Sequence, residues 1–263
     1  MKTTLATLQE MSRNNDKFTV LTCYDATFAH TLEQAGVDAL LIGDSLGNVL
    51  HGEATTLAVT LDDIVYHTHC VARGASKAFI MADMPFGSYQ GSPEQAYANA
   101  ARIMAAGAHM VKIEGGQIMA ETVTFLTKRG IPVCAHIGLT PQSVHQLGGY
   151  KVQGNTDGSA QQLLTDAKIL ENAGAGLLVL ELIPAGLASA ITQSISIPTI
   201  GIGAGAGCSA QVLVLHDLLG LFRGKKPRFV RDFMAGSGSI RQAVENFVQA
   251  VKTNRFPDQE HEF

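Results

Sequence analysis

Residues 105–114 read Ala-Ala-Gly-Ala-His-Met-Val-Lys-Ile-Glu, and this stretch decides how the sequence is interpreted. A glycine after a helical segment supplies the left-handed backbone conformation that stops a helix. The apolar run that follows predicts a short strand, and the strand ends on a carboxylate. The same order recurs twice, from Gly36 to Asp44 and from Gly174 to Glu181. This partial repeat of helix stop, strand and carboxylate is typical of consecutive βα units.

Eight short apolar runs alternate with amphipathic segments along the chain. They are rich in Val, Ile and Leu and nearly continuous, as in parallel strands that are covered on both faces. The strands are predicted at Phe18–Tyr24, Ala39–Gly43, Ala78–Ala82, Met110–Ile113, Pro132–His136, Leu177–Leu182, Thr199–Ile202 and Val212–Leu215. Helices are predicted at Pro93–Ala106 after an N-cap at Ser92, at Ser159–Ala173 and at Ser239–Lys252.

The alternation of strands and helices suits either a doubly wound sheet or a barrel. We favour the barrel because eight units fill 263 residues with no second domain left over, and a (β/α)8 barrel typically needs about 250 residues. The prediction is an α/β fold, a single (β/α)8 TIM-type barrel domain over residues 1–263, with an N-terminal helical extension and a C-terminal helix. The tail at Arg255–Phe263 is expected to be loosely held.

Composition excludes several classes of protein. A net charge of −4 without a long basic run argues against a nucleic-acid or acidic-membrane partner. The four cysteines have no zinc-site or disulfide spacing, which predicts reduced, buried thiols in a cytoplasmic protein. Leu182–Leu215 lacks charged residues, but prolines and glycines interrupt it, so it is not expected to span a membrane. The glycines at 201–207 are a weak signal for a phosphate-binding turn. We favour the alternative that they permit close packing of the backbone.

Three carboxylates follow neighbouring strands, the second, third and fourth. Asp44, Asp83 and Glu114 stand at the strand ends where barrel enzymes place catalytic groups. Burying a carboxylate in an apolar run is costly unless it is paired or binds a metal. Convergent carboxylate oxygens suit Mg²⁺. The alternative is that each carboxylate caps a helix or pairs with a basic residue.

Two further residues near these carboxylates are candidates for binding an anionic substrate. Lys112 shares a strand face with Glu114, because residues two apart on a strand point the same way. Its alternative role is a structural ion pair with Glu114 or Asp83. Ser45, directly after Asp44, is a candidate for binding a carboxylate or for a helix N-cap.

Two residues on the fifth and sixth strands are candidates for proton transfer. His136 ends the fifth strand, where it either bonds to substrate or is a satisfied core histidine. Glu181 has an apolar flank, which disfavours its charged form and suits a general base. Its alternative is a structural carboxylate bonded to backbone N–H groups. His216-Asp217 ends the eighth strand, where it either lies at the edge of the site or only caps the following turn, and we favour the turn cap.

Motifs along nearly the whole chain resemble the ketopantoate hydroxymethyltransferase family. They are Leu-Ile-Gly-Asp-Ser-Leu-Gly at 41–47, Ala-Asp-Met-Pro-Phe at 82–86, Val-Lys-Ile-Glu-Gly-Gly at 111–116, Gly-Leu-Thr-Pro-Gln-Ser at 138–143, Gly-Gly-Tyr-Lys-Val-Gln-Gly at 148–154, Gly-Ile-Gly-Ala-Gly at 201–205 and His-Asp-Leu-Leu-Gly at 216–220. One departure is Ser209-Ala210, where many members carry Asp-Gly. It weakens any role for an acidic group in that loop.

The resemblance implies transfer of a one-carbon unit from 5,10-methylenetetrahydrofolate to 3-methyl-2-oxobutanoate through a Mg²⁺-stabilised enolate. The product, 2-dehydropantoate, leads to pantothenate and coenzyme A. The resemblance assigns a metal site to Asp44, Asp83 and Glu114, the last either directly or through a water. Ser45, Asp83 and Lys112 would contact the keto acid, and Glu181 would be the proton acceptor. It also implies a homo-oligomer, in bacterial members a decamer of two pentameric rings.

Two other functions remain open at this point. One is a Mg²⁺-dependent lyase or mutase for 2-oxo acids, of the isocitrate lyase and phosphoenolpyruvate mutase type, which would need no folate. The other is a non-catalytic scaffold or binding protein, which would bind Mg²⁺ and the keto acid without turnover.

Overall fold

Eight parallel strands close into a barrel in the computed structural model, which describes residues 2–222 and 224–263. Each strand pairs with its neighbours in the sequence, and the first also pairs with the last. The strands are β1 (Phe18–Thr22), β2 (Ala39–Ile42), β3 (Phe79–Asp83), β4 (Met110–Glu114), β5 (Val133–Gly138), β6 (Leu177–Glu181), β7 (Thr199–Ile202) and β8 (Ala210–Leu213). The predicted fold class and all eight strands are confirmed, with ends that shift by two residues at most.

Helices surround the barrel and follow most strands. They are α1 (Leu5–Arg13), α2 (Ala26–Gln34), α3 (Leu61–Gly74), α4 (Pro93–Ala105), α5 (Ala120–Thr127), α6 (Val144–Leu147), α7 (Asp157–Asn172), α8 (Ala185–Ser194), α9 (Leu215–Leu218) and α10 (Ile240–Lys252). Short polar side chains begin many of them, because an oxygen at the N-cap accepts from an otherwise unbonded N–H. One such cap, Thr156, makes α7 begin two residues before the predicted Ser159.

The predicted helix stops are confirmed at all three repeats. Gly36, Gly107 and Gly174 follow α2, α4 and α7 with φ angles of +90°, +115° and +101°. A side chain is strained in this backbone region, so glycine ends each helix cleanly and the next strand can enter the barrel.

Two apolar layers hold the barrel together. The inner layer fills the barrel with side chains from all eight strands. Leu8 of α1, fully buried, joins this layer, with Leu5 and Met11 packed beside it. The N-terminal extension therefore closes one end of the barrel. A larger outer layer lies between the strands and the surrounding helices.

The connection from β7 to β8 contains no helix and consists of residues 203–209. Parallel strands are normally joined by a longer crossover that carries a helix. Here the chain runs close against α8: a Cβ atom on Gly205 would lie 2.5 Å from the Cβ of Ala185, and one on Gly207 would lie 3.0 Å from that of Ser189. The interpretation of the glycine run as a site of close packing is thus confirmed. The expectation of a helix in every βα unit is not confirmed at this connection.

The expectation of a loosely held tail at Arg255–Phe263 is wrong. Phe256 is 3% exposed and packs edge-on against Phe233 and Phe247, with ring centroids 5.3 and 6.0 Å away. The backbone carbonyl of Phe263 accepts a hydrogen bond from Ala185 N at 2.8 Å. These contacts were not predicted because the tail is mostly polar and its partners are distant in the sequence.

Within the described ranges, no helix is both long enough and apolar enough to cross a membrane. All four cysteines are free thiols. Cys23, Cys134 and Cys208 are buried as predicted, whereas Cys70 on α3 is only half-buried.

Truncating Phe256 tests whether the tail is part of the core. Replacing a buried phenylalanine with alanine costs about 3–5 kcal/mol, so Phe256→Ala is expected to lower the free energy of unfolding by that amount. Urea denaturation followed by circular dichroism measures it, with Phe86→Ala, at a side chain that is 51% exposed, as the control. Equal small losses in both variants would show that the tail is not anchored.

Candidate active site

A cavity of about 640 Å³ opens at the carboxyl ends of the strands. All of the residues that the sequence predicted for the site line it: Asp44, Ser45, Asp83, Lys112, Glu114, His136 and Glu181. The structure therefore brings the predicted set together in one place.

Strand register explains why these side chains meet. Asp83 on β3 pairs with Lys112 on β4, and Glu114 pairs with His136 on β5. Glu181 on β6 pairs with Gly138 at the end of β5. Since adjacent strands lie about 4.8 Å apart, paired residues on the same face are within reach of direct contact.

The carboxylates of Asp44, Asp83 and Glu114 form a buried acidic group. The backbone N–H of Asp44 donates to Oδ2 of Asp83 at 2.9 Å. Burial and the charges of Asp83 and Glu114 raise the pKa of Asp44 well above its usual value. Oδ1 of Asp83 and Oε1 of Glu114 are buried and accept no well-formed hydrogen bond from another described residue, although the ammonium of Lys112 lies near both. Such oxygens can bind a cation.

Lys112 lies between two of these carboxylates. Its Nζ is 3.2 Å from Oδ1 of Asp83 and 3.5 Å from Oε1 of Glu114, so it forms the ion pairs that its alternative role required. Burial opposes its charge, but Asp83, Glu114 and Asp44 outweigh that and raise the pKa of Lys112. Lys112 therefore remains an ammonium beside the cavity.

Acidic groups outnumber basic ones in the cavity floor: four carboxylates face Lys112 and His136. A hard cation with oxygen ligands would offset this excess. No three His, Cys, Asp or Glu side chains of the described residues are grouped as a ready-made metal-ligand set. The carboxylate oxygens of the floor nevertheless have the chemistry that a hard cation prefers.

Glu181 and His136 form a second pair in the cavity. Oε2 of Glu181 is 3.2 Å from Nε2 of His136, and Nδ1 of the same ring is 3.4 Å from Oε1 of Glu114. Burial and Lys112 disfavour the imidazolium, but Glu114 and Glu181 prevail and raise the pKa of His136 to about 9. Leu182, directly after Glu181, has a φ of +44°. Strained backbone of this kind is concentrated at functional sites.

Ser45 lies at the cavity wall, with its hydroxyl 2.9 Å from the hydroxyl of Tyr24. It does not cap a helix through its side chain: the π-helical turn at Gly47–His51 begins after Leu46 without a side-chain cap. The cap interpretation is therefore wrong.

Sequence reasoning missed Gln142, which connects the acidic group to the loop after β5. Its Nε2 donates to Oδ2 of Asp44 at 2.9 Å, and its backbone N–H donates to Oε2 of Glu114 at 3.0 Å. Its Oε1 accepts from the hydroxyl of Tyr89 at 2.8 Å. A polar residue in the quoted motif at 138–143 was the available signal, but its partners are distant in sequence.

The outer wall of the cavity differs from the floor. It is formed by aromatic, basic and acidic side chains from the loops and the tail: Tyr150, Asp217, Lys225, Arg228, Phe229 and Phe263. For Asp217, a turn cap was favoured over a place at the edge of the site. The Asp217 side chain lines the cavity instead and makes no hydrogen bond to another described residue.

The sequence model for ketopantoate hydroxymethyltransferase matches residues 2–259. The chain belongs to this family. Relatives named 3-methyl-2-oxobutanoate hydroxymethyltransferase agree: the one from Nitrosospira multiformis is 65% identical over the whole of both chains. The one from Thiobacillus denitrificans is 59% identical over the same extent. Membership of this family makes the chain a transferase enzyme.

Solved structures with the same fold extend beyond the ketopantoate hydroxymethyltransferase family. A phosphonopyruvate hydrolase in complex with oxalate and Mg²⁺ has a TM-score of 0.62 at 14% identity, covering 98% of this chain and all of that one. A 2,3-dimethylmalate lyase has a TM-score of 0.58 at 19% identity, covering 81% of each chain. At these identities the likeness establishes the fold alone.

The departure at Ser209-Ala210 lies away from the cavity. The hydroxyl of Ser209 accepts from that of Ser12 at 2.8 Å, next to α1 at the closed end of the barrel. It lines a separate cleft there. This chain carries Ser209-Ala210 where many family members carry Asp-Gly, and this difference leaves the acidic group unchanged.

The unpartnered carboxylate of Asp217 generates a stability prediction. Burial raises the pKa of Asp217 from 3.8 to about 6. Above pH 6 the folded protein carries a charge that its surroundings disfavour, whereas below about pH 4 both states are protonated and the cost vanishes. Asp217→Asn is therefore expected to add about 1–2 kcal/mol to the free energy of unfolding at pH 8, allowing for partial exposure.

The gain should shrink as the pH is lowered from 8 to 4.5, in urea titrations compared with the unsubstituted protein. Asp16→Asn, at an exposed position, is the matched control. A gain that is independent of pH would contradict the assigned cause.

Proposed function

We propose that this protein transfers a hydroxymethyl group from 5,10-methylenetetrahydrofolate to 3-methyl-2-oxobutanoate, forming 2-dehydropantoate for pantothenate and coenzyme A synthesis. The observation that carries the proposal is the convergence of four carboxylates, Lys112 and His136 in one cavity of a chain from this family. Such a floor matches the needs of a small anionic keto acid that must lose a carbon-bound proton.

The cavity floor supports a divalent cation. Asp44 and Asp83 would hold Mg²⁺, with Glu114 acting through a water, and the buried oxygens of Asp83 and Glu114 that accept no well-formed hydrogen bond fit this role. When bound, Mg²⁺ supplies positive charge that polarises the 2-oxo group of the keto acid and favours its enolate.

The residues beside the acidic group would bind the substrate. The Lys112 ammonium, held between Asp83 and Glu114, would face the substrate carboxylate and offset its charge. The hydroxyl of Ser45 and its backbone N–H would contribute hydrogen bonds. His136 would fix the orientation of Glu181 through the contact of 3.2 Å between them.

Proton removal would fall to Glu181. Its side chain is 15% exposed, more than those of Lys112 and Glu114, so it borders the open part of the cavity. As the base, Glu181 takes the proton from C3 of the keto acid. A bond then forms from C3 to the one-carbon unit of the folate, both bonds from that carbon to the folate nitrogens break, and water supplies the hydroxyl group. The proton taken from C3 and the second proton of the water end on the two nitrogens. The products are 2-dehydropantoate and tetrahydrofolate.

The larger organisation of the protein is also part of the proposal. We propose one barrel domain over residues 1–263, assembled into a homodecamer in the cytoplasm. Exposed apolar side chains such as Tyr66 and Ile118 support subunit contacts, and the free cysteines suit a reducing compartment.

Removing the base isolates the first chemical step. Exchange of the C3 proton of 3-methyl-2-oxobutanoate, followed by proton NMR in D₂O with Mg²⁺ and without folate, is expected to fall about 10²–10⁴-fold in Glu181→Gln, the usual contribution of a positioned base. The keto acid should still bind, as isothermal titration calorimetry would show.

Glu121→Gln, an exposed substitution on α5, is the matched control for this experiment. Exchange at the unsubstituted rate in Glu181→Gln would remove Glu181 from the base role.

Gln142 allows a test of the metal site that does not depend on turnover. Loss of its hydrogen bond to Asp44 should misplace a ligand, and loss of such a supporting contact typically lowers metal affinity about 10–100-fold. We expect this loss in Gln142→Leu, with Mn²⁺ binding measured by electron paramagnetic resonance. Gln161→Leu, exposed on α7, should bind Mn²⁺ like the unsubstituted protein. Equal affinity in both variants would contradict the assigned role of Gln142.

A further inference from the structure

The cavity is larger than the keto acid requires. Its volume of about 640 Å³ lies within the range of roughly 300–1,000 Å³ found for sites that enclose drug-sized ligands. A keto acid of five carbons at the acidic floor leaves the outer part of the cavity free. The outer wall therefore has room for a second and larger molecule.

The outer wall also has its own chemistry. Phe229 and Phe263 present aromatic side chains to it, and Lys225 and Arg228 bring two positive charges to its rim. These features suit a ligand that has a flat ring at one end and an anionic group at the other.

Asp217 is the acidic group on this wall. Its carboxylate is half-buried and has neither a hydrogen bond nor an ion pair with any other described residue. A carboxylate in partly apolar surroundings is stabilised by N–H donors from a ligand. Its two oxygens can accept from two adjacent N–H groups, such as those on one edge of a 2-amino-4-oxopyrimidine ring.

Arg228 is fixed at the rim by the tail. Its guanidinium donates to the carbonyl oxygens of Gln259 and Glu260, both at 3.3 Å, and lies 5.2 Å from the ring centroid of Phe263. These contacts hold the charge at the cavity mouth and leave donors free for a carboxylate. The anchored tail thus helps to build the rim.

We propose that the outer part of the cavity is the folate subsite, with Asp217 accepting hydrogen bonds from the pterin ring and Lys225 with Arg228 facing the glutamate carboxylates. The inference rests on the proposed function, because that function requires a reduced folate. It goes further by naming which side chains recognise each end of the donor.

Two probes separate the two ends of the ligand. Tetrahydrofolate carries both the pterin ring and the glutamate, whereas 6-methyltetrahydropterin carries the ring alone. Binding is measured by anaerobic isothermal titration calorimetry at pH 7.5, with Mg²⁺ and 3-methyl-2-oxobutanoate present. Asp217→Asn is expected to weaken binding of both probes at least tenfold, as for loss of a charge-assisted hydrogen bond. The double variant Lys225→Ala, Arg228→Ala is expected to weaken tetrahydrofolate about fivefold or more and to leave the pterin unaffected.

Lys128→Ala removes an exposed positive charge at a residue that does not line the cavity, and it is the control for loss of a surface cation. The dissociation constant of the keto acid, measured in each variant, reports whether the cavity floor is intact. If the unsubstituted protein binds tetrahydrofolate and Asp217→Asn binds it equally well, the subsite assignment is overturned while the proposed function stands. If the unsubstituted protein binds neither probe, the folate donor itself is wrong and the assignment falls with it.

Discussion

The contacts of Lys112 are the constraint on which the rest of the site depends. One buried ammonium lies within 3.2–3.5 Å of Asp83, Glu114 and the ring of His136. Buried charges are tolerated only when they are paired and well placed. The barrel meets this demand through its parallel register, which sets Asp83 beside Lys112 and Glu114 beside His136. If any of these strands shifted by one residue, a charged side chain would point into the apolar outer layer instead of the cavity.

Negative charge still exceeds positive charge after this pairing, and the excess gives the cavity its chemical character. The pKa of Asp44 is raised because burial and two nearby carboxylates disfavour a further negative charge. A bound divalent cation would offset this excess and so allow an anionic substrate to bind beside the carboxylates. Gln142 and Tyr89 hold the acidic group in place meanwhile, which makes the site preorganised rather than assembled on binding.

Much of the fold and of the cavity floor could be predicted because the signals are local. Strands, helix stops and strand-end carboxylates are all encoded within ten or so residues, and the order of parallel strands brings the carboxylates together. Features that depend on distant contacts were not predicted. The polar tail is held by Phe256, the β7–β8 connection lacks a helix because it runs against α8, and Gln142 reaches partners in three other loops or strands. Asp217 was misjudged because the closure of the barrel, and not the local sequence, sets it on the cavity wall.

The most direct test of the whole account is one NMR experiment on the unsubstituted protein. 3-Methyl-2-oxobutanoate is incubated in D₂O with Mg²⁺, and its C3 signal is followed before and after 5,10-methylenetetrahydrofolate is added. The account predicts Mg²⁺-dependent exchange at C3 first, and 2-dehydropantoate only once the donor is present. Exchange that never leads to 2-dehydropantoate would contradict the proposed transfer and favour a lyase or mutase. Absence of exchange under every condition would contradict the assignment of the cavity floor as a proton-abstracting site.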